Sequence, residues 1–229
     1  MSISDNIRII RNNITRVASQ CGREPADITL LAVTKTVSID LIQIAVDTGI
    51  RDIGENRVQE ARMKFSELAR PVNWHLIGHL QTNKVKHAIP LFDLIHSVDR
   101  MDLVDEIQKR ARTLNKIQRV LVQVNTSGEE SKSGCQPEEA EDLVKSVSQF
   151  ENLQIEGLMT IGPLSGDRDK IRSSFKCLNE IFKKIKNSHI PNVTMKHLSM
   201  GMSQDYELAI EEGSTLIRVG TAIFGQRQQ

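Results

Sequence analysis

The chain lacks an excess of either charge. Its 229 residues carry 30 lysines and arginines against 29 aspartates and glutamates, a formal net charge of +1, so the electrostatic footprint expected of a partner such as nucleic acid or an anionic membrane surface is missing. Cysteine is scarce too. Cys21, Cys135 and Cys177 stand far apart with no Cys-x-x-Cys pair, which argues against a disulfide framework and a zinc site and fits a reducing, cytoplasmic setting. No apolar run nears the ~20 residues of a membrane-spanning helix, and Met1 to Arg11 holds no signal-peptide apolar region. No proline-, glycine- or serine-rich linker divides the chain, so residues 1–229 are expected to form one soluble domain. Two nucleotide-binding signatures are absent as well. The turn after the first apolar run reads Thr34-Lys35-Thr36-Val37-Ser38 where a dinucleotide fold would place Gly-x-Gly-x-x-Gly, and there is no Walker A segment.

Against these absences stands a regular alternation. Eight short β-type runs are predicted, at Ile28–Lys35, Asp52–Glu55, Trp74–Leu80, Leu94–Val98, Val120–Asn125, Gln154–Met159, His197–Met200 and Leu216–Val219. Between most of them apolar residues recur at spacings of three and four, as in Val58, Ala61, Phe65 and Leu68, or Phe175, Leu178, Ile181 and Ile185, the period of helices that cover a sheet. Matching end signals are Ser38 as an N-cap, Gly49 and Gly213 behind helices, and Pro137-Glu138-Glu139 as a first turn. Eight such alternations predict a single (β/α)8 TIM barrel in preference to an open doubly wound sheet. An extra N-terminal helix, Ile3–Ala18 with the stripe Ile7, Ile10, Ile14 and Val17, would cap the barrel's bottom or pack beside the last strand.

In such a barrel the working groups come from the C-terminal ends of the strands. Lys35 closes the first apolar run. A buried ammonium must be paired or lose its proton, and the neutral amine attacks carbonyls to make a Schiff base; a strand-end lysine that snorkels to solvent is the plainer alternative. Strands seven and eight end in Ser199-Met200-Gly201-Met202-Ser203 and Arg218-Val219-Gly220-Thr221, where barrels build phosphate sites from N–H groups and hydroxyls. Ser203 could instead cap a helix beginning near Asp205. Alternation sets Leu216, Arg218 and Gly220 on one face and Ile217 with Val219 on the other, so Arg218 is predicted to project into the barrel, where a guanidinium needs an acceptor. A Schiff-base lysine, a phosphate pocket and an arginine between them suit an aldehyde with a phosphate tail and a ring nitrogen, the parts of pyridoxal 5'-phosphate (PLP).

Several ordered motifs carry a family resemblance: Leu30 to Thr36, Gly54-Glu55-Asn56, His75 to Lys84, Ser131 to Gly134, Gly157 to Ile161, His197 to Ser203 and Arg218 to Gly225. Over residues 1 to about 226 the chain resembles the YggS/PROSC pyridoxal phosphate homeostasis proteins. The resemblance implies a barrel of the alanine racemase N-terminal type, with PLP held as an aldimine on Lys35. It further implies phosphate contacts from Ser199, Ser203, Gly220 and Thr221, with Arg218 facing the pyridine nitrogen. Asn56, His75 and Met200 are carried over as groups near the ring. Position 57, often aromatic in relatives, is Arg57 here. The implied role is a cytoplasmic, monomeric carrier that stores, buffers or delivers PLP, with apo PLP-dependent enzymes as recipients, and not an enzyme. Two alternatives remain open: a small amino-acid racemase, and a class I aldolase acting on a phosphorylated sugar. A racemase needs acid–base groups on both faces of the substrate, and the sole tyrosine, Tyr206, reads more simply as a helix residue. His79, His87, His96, His189 and His197 read as loop, surface or strand-packing histidines.

Overall fold

Ile7, Ile10, Ile14 and Val17 fall on one side of an 18-residue helix, α1 (Ile3–Gln20), and all four are buried. Its start is fixed by a capping box in which Ser2 and Asp5 satisfy each other's backbone amides. The computed structural model describes residues 1–68, 70–129 and 131–226, so 227–229 of the expected unit lie outside the described residues. After α1 come β1 (Thr29–Val33), α2 (Ile39–Asp47), β2 (Asp52–Glu55), α3 (Val58–Glu67), β3 (Asn73–Leu76), α4 (Val85–Ala88), β4 (Leu94–Val98) and α5 (Met101–Thr113). The second half continues with β5 (Gln118–Gln123), α6 (Ala140–Val147), β6 (Leu153–Met159), α7 (Arg168–Asn187), β7 (Val193–Ser199), α8 (Tyr206–Glu211), β8 (Leu216–Val219) and α9 (Thr221–Phe224). The strands close in sequence order into one parallel barrel, with β1 paired to both β2 and β8.

Side-chain alternation divides the apolar residues into two populations. Ala32, Ile53, Leu76, Ile95, Val120 and Ile217 face outward into the main core beneath the helices. Leu31, Val33, Ile77 and Leu216 fill one part of the interior, and Leu94, Leu121 and Met159 another. Interior positions are therefore a packed plug, as barrels of eight strands require. Among the described residues no helix is long and apolar enough to cross a membrane.

The expected strands are all present: β2, β4 and β8 keep their limits, β1 is shorter at both ends, β6 begins one residue earlier, and the third, fifth and seventh differ for identifiable reasons. The third ends at Leu76 because Gly78 lies against the backbone of Asn56, where a Cβ would come within 2.3 Å of the Asn56 carbonyl. The fifth begins two residues earlier, at a buried Gln118 whose side-chain amide donates to the carbonyls of Phe92, Asp93 and Arg119. The seventh begins at Val193, since its first half alternates with exposed Thr194 and Lys196 and offers no apolar run to read. Ser38 stands at the start of α2 with extended backbone but makes no capping bond. Gln136 and Glu139 form the capping box of the Pro137–Glu139 turn. The N-terminal helix takes the second of its two expected places, beside the last elements: Asn6 Nδ2 donates to the Ile223 carbonyl, Asn13 Nδ2 to the Tyr206 hydroxyl, and Arg16 pairs with Glu207, at 2.9, 2.9 and 2.7 Å.

One glycine is demanded by the pairing itself. Register shifts lie on both sides of β6, at Val120/Leu121 on β5 and at Ile155/Gly157 toward β7, and Gly157 has φ +145° with His197's carbonyl where a Cβ would stand, 1.8 Å away. Such bulges re-aim the residues that follow, here His197 and Ser199. Gly157→Ala is expected to lower unfolding free energy by about 3 kcal/mol or more. The control Gly128→Ala, at φ +72° in open space, should cost only about 1 kcal/mol. Urea unfolding of the two variants checks the difference.

Candidate functional site

The loops that leave β1, β6, β7 and β8 enclose a cavity of about 620 Å³ at the C-terminal end of the barrel. Lys35, half-buried just beyond β1, lines it together with Ser203, Arg218, Gly220 and Thr221. Val33, the Pro163–Gly166 loop, Arg168, Ile171, Met202, Gln204 and Asp205 complete the wall. Five of the nine residues singled out from the sequence thus share one cavity, and they come from opposite ends of the chain because β1 and β8 are neighbours in the closed sheet.

Arg218 is 4 % exposed and projects inward as alternation predicts. One terminal nitrogen donates to Ser199 Oγ at 2.7 Å and the other to the Thr160 carbonyl at 2.8 Å. Burial draws its pKa down to about 10, with Asp205 pulling the other way, so the guanidinium is still a cation at neutral pH. Ser199 passes the chain of bonds on. Its Oγ meets His96 Nδ1 at 3.1 Å, His96 Nε2 meets His75 Nδ1 at 2.9 Å, and His75 Nε2 meets Asp52 Oδ1 at 3.1 Å. One proton ordering satisfies every contact without charging either ring: Ser199 donates to His96, His96 to His75, and His75 to Asp52. His96 is held well below the ordinary imidazole range by burial first, and then by His75 and Arg218. Despite its burial, Asp52 lies below the usual carboxylate range because His75 and Asn73 donate to it.

Across the mouth, Ser203 joins the last two loops. Its Oγ accepts from the amides of Gly220 at 3.2 Å and Ala222 at 3.3 Å. Ser203 does not cap the following helix: Asp205 stands at its N-cap position, with its carboxylate turned back to accept the Met202 amide at 2.5 Å. Two amides therefore converge on a single oxygen at the rim, and that hydroxyl retains its own proton to donate.

The four remaining residues lie elsewhere. Asn56 lines a separate depression with Arg57, Gly78, His79 and Lys84. His75 and Ser199 belong to the buried relay beneath Arg218, and Met200 is wholly buried in the outer core under the helices. Sequence reading missed His96, Arg168 and Asp205. His96 sits mid-strand in an apolar run, Leu94-Ile95-His96-Ser97-Val98, and a polar side chain on the inward phase of such a run was the available signal. Tyr206 is buried, its hydroxyl taken by Asn13 of α1. Among the described residues no group of His, Cys, Asp and Glu could hold a metal ion.

Comparison with known proteins identifies the family and the fold. Residues 6–228 match the alanine racemase N-terminal domain family. A pyridoxal phosphate homeostasis protein of Aquifex aeolicus (strain VF5) is 41 % identical over 229 residues, covering all of both chains. PipY of Synechococcus elongatus PCC7942, in a structure with PLP bound, superimposes with a TM-score of 0.81 at 35 % identity over 93 % of this chain and 100 % of that one. An alanine racemase of Clostridium difficile 630 shares the fold, with a TM-score of 0.79 at 17 % identity, over 98 % of this chain and 58 % of that one.

The buried histidines make stability depend on pH. His96 lies well below 6.5 and His197 is drawn down to about 4, chiefly by burial, whereas an unfolded imidazole titrates near ~6.5. The unfolded chain therefore binds more protons, and the stability present above about pH 6.5 is lost as pH falls toward 4. Urea midpoints measured from pH 7 to pH 4 should decline steadily, and His197→Gln should flatten that slope.

Proposed function

The chain belongs to the family of pyridoxal phosphate homeostasis proteins, and on that premise we propose that it binds PLP in the cavity at the mouth of the barrel, as an aldimine on Lys35. The observation that carries this reading is the shared cavity: an amine at the end of β1 faces, across β8, a buried arginine and two amides gathered at the rim. The residues fit the group. About 620 Å³ accommodates a substituted pyridine with a phosphate arm. The Ser203 hydroxyl, polarised by the Gly220 and Ala222 amides that donate to its oxygen, offers a donor to a phosphate oxygen with the Thr221 hydroxyl beside it, and Arg168 and Arg218 supply positive charge.

When bound, the aldehyde supplies an electrophilic carbon. Lys35 would hold that carbon through its amine, which must first be deprotonated to act as a nucleophile. Arg218 would face the ring nitrogen as a donor that keeps its own proton. A nitrogen so paired stays unprotonated, which leaves the ring a weak electron sink. Ser199 and Thr160 hold the guanidinium in that direction. Ser199, His75 and Met200 would act from behind the wall, and Asn56 from the neighbouring rim.

A role in holding and passing on PLP is favoured over racemisation by Tyr206. Its hydroxyl is engaged by Asn13 on the far side of α8, so it does not oppose Lys35 as a second acid–base group. In this reading the protein acts as a monomer in the cytoplasm, where its three free cysteines stay reduced, and hands PLP to apo PLP-dependent enzymes.

Mixing with PLP should give a yellow protein, and borohydride should fix a pyridoxyl mass on the peptide containing Lys35. Lys35→Ala should lose that label and the yellow band. Protein that stays colourless with PLP, or a label found only on other lysines of the wild type, contradicts the reading. Efficient interconversion of L- and D-alanine by the wild type would favour the racemase.

A further inference from the structure

Behind Lys35, on the side away from the cavity, the structure buries an ammonium that the reading above does not use. Lys64 of α3 is 8 % exposed. Its Nζ donates to Glu55 Oε1 at 2.8 Å, to Glu60 Oε1 at 2.6 Å and to the Thr34 carbonyl at 2.6 Å, which engages all three of its protons. Glu60 Oε1 in turn accepts the Thr36 amide at 2.5 Å, and Glu55 Oε1 accepts the Thr34 hydroxyl at 2.6 Å. The peptide groups on both sides of Lys35 are thereby gripped, the carbonyl before it by Lys64 and the amide after it by Glu60.

Two independent features say that this arrangement is more than a way of holding α3 on the sheet. First, a buried ion group is a poor source of stability, because taking the charges out of water costs about as much as their attraction returns. Here the cost is raised further: Glu55 is wholly buried and its Oε2 has no hydrogen-bond partner. Second, Thr36 sits at φ +60°, in the left-handed region that a β-branched residue avoids. Strain of this kind persists only where the surroundings over-determine it, and the bond to Glu60 is what holds it. The turn closes with the Val37 amide on the Thr34 carbonyl at 3.0 Å, the same oxygen that Lys64 holds.

We propose that Lys64 and Glu60 are positioning residues for Lys35: they clamp the strained Thr34–Val37 turn so that the Lys35 Cα–Cβ bond points into the cavity. The proposal rests on Lys35 being the residue that attaches PLP. β1 ends at Val33, so the ladder no longer restrains the residue that needs the most exact placement. A lysine side chain has four rotatable bonds, and directing its root removes much of the search by which its amine finds an aldehyde carbon. Lys64 and Glu60 stand four residues apart on α3 and Glu55 ends β2, so the clamp references Lys35 to the neighbouring β2–α3 unit.

The test compares wild type with Lys64→Met and Glu60→Ala. The Glu60 side chain is 19 % exposed, so its truncation leaves the core intact and keeps the test open should Lys64→Met fold poorly. In protein without ligand, amide exchange at Thr36 should accelerate roughly ten- to hundredfold in either variant, the loss expected for a charge-assisted hydrogen bond. With PLP, the rate of covalent attachment to Lys35 should fall about tenfold or more. Affinity for pyridoxine 5'-phosphate, which has no aldehyde and cannot attach, should stay within about twofold. Unchanged exchange and attachment in both variants would overturn the clamp. Equal weakening of both ligands would also overturn it, since that marks general damage to the cavity. If wild type attaches nothing at Lys35, the reading under the previous heading fails, and the exchange at Thr36 still decides whether the clamp exists.

Discussion

A guanidinium inside a barrel must have its N–H groups met by oxygen, and much of this interior is organised around that need. Arg218 finds two acceptors, Ser199 Oγ and the Thr160 carbonyl. Both lie just beyond the register shift between β6 and β7, where the His197 carbonyl leaves no room for a Cβ at Gly157. Ser199 can serve Arg218 because its own proton has somewhere to go, along His96 and His75 to Asp52 at the opposite end of the interior. A single buried cation thus ties five strands, β2, β3, β4, β7 and β8, through one line of side chains, and a sixth, β6, through the carbonyl that follows it. Networks of this type specify one arrangement of the interior, since a partly satisfied version is worse than none.

The remaining interior is apolar, and the two parts complement each other. Leu31, Val33, Ile77 and Leu216 pack beneath the cavity floor, so the side chains that reach the mouth do so from a floor that does not yield. Rigid support under a small set of polar groups is what keeps a site's geometry within the tolerance that chemistry needs. The outer helices add to it from the side: α1 reaches α8 and α9 through Asn13 and Asn6, and so braces the loops that form the rim.

What the sequence made legible followed from periodicity. Alternation along Leu216-Ile217-Arg218-Val219-Gly220 says which residues face inward, because a strand has only two faces. The barrel, and the meeting of Lys35 with Arg218, follow from eight alternations and closure. The polar half of β7 was hidden, since Thr194 and Lys196 interrupt any apolar run. Met200 was hidden for the opposite reason. One residue past Ser199, it falls on the outward face, and motif membership says nothing about which face a member takes. Lys64 carries no sequence signal that sets it apart from other charges on a helix; the packing of α3 against β2 is what places it inside. Pairwise contacts between elements far apart in sequence, such as His75 with His96 or Ser203 with Gly220, carry no local signature.

Ser203 bears on kinetics. Its hydroxyl already aligns the Gly220 and Ala222 amides, so the ordering of that rim is completed when the chain folds and is not charged against binding. Donors aimed in advance change the rate of arrival little, since encounter is governed by diffusion and orientation; they lengthen the dwell of whatever anion sits there. Departure would then be limited by the loosening of two loops at once, because one oxygen staples both. An anion held at that rim would leave on the timescale at which the β7 and β8 loops part.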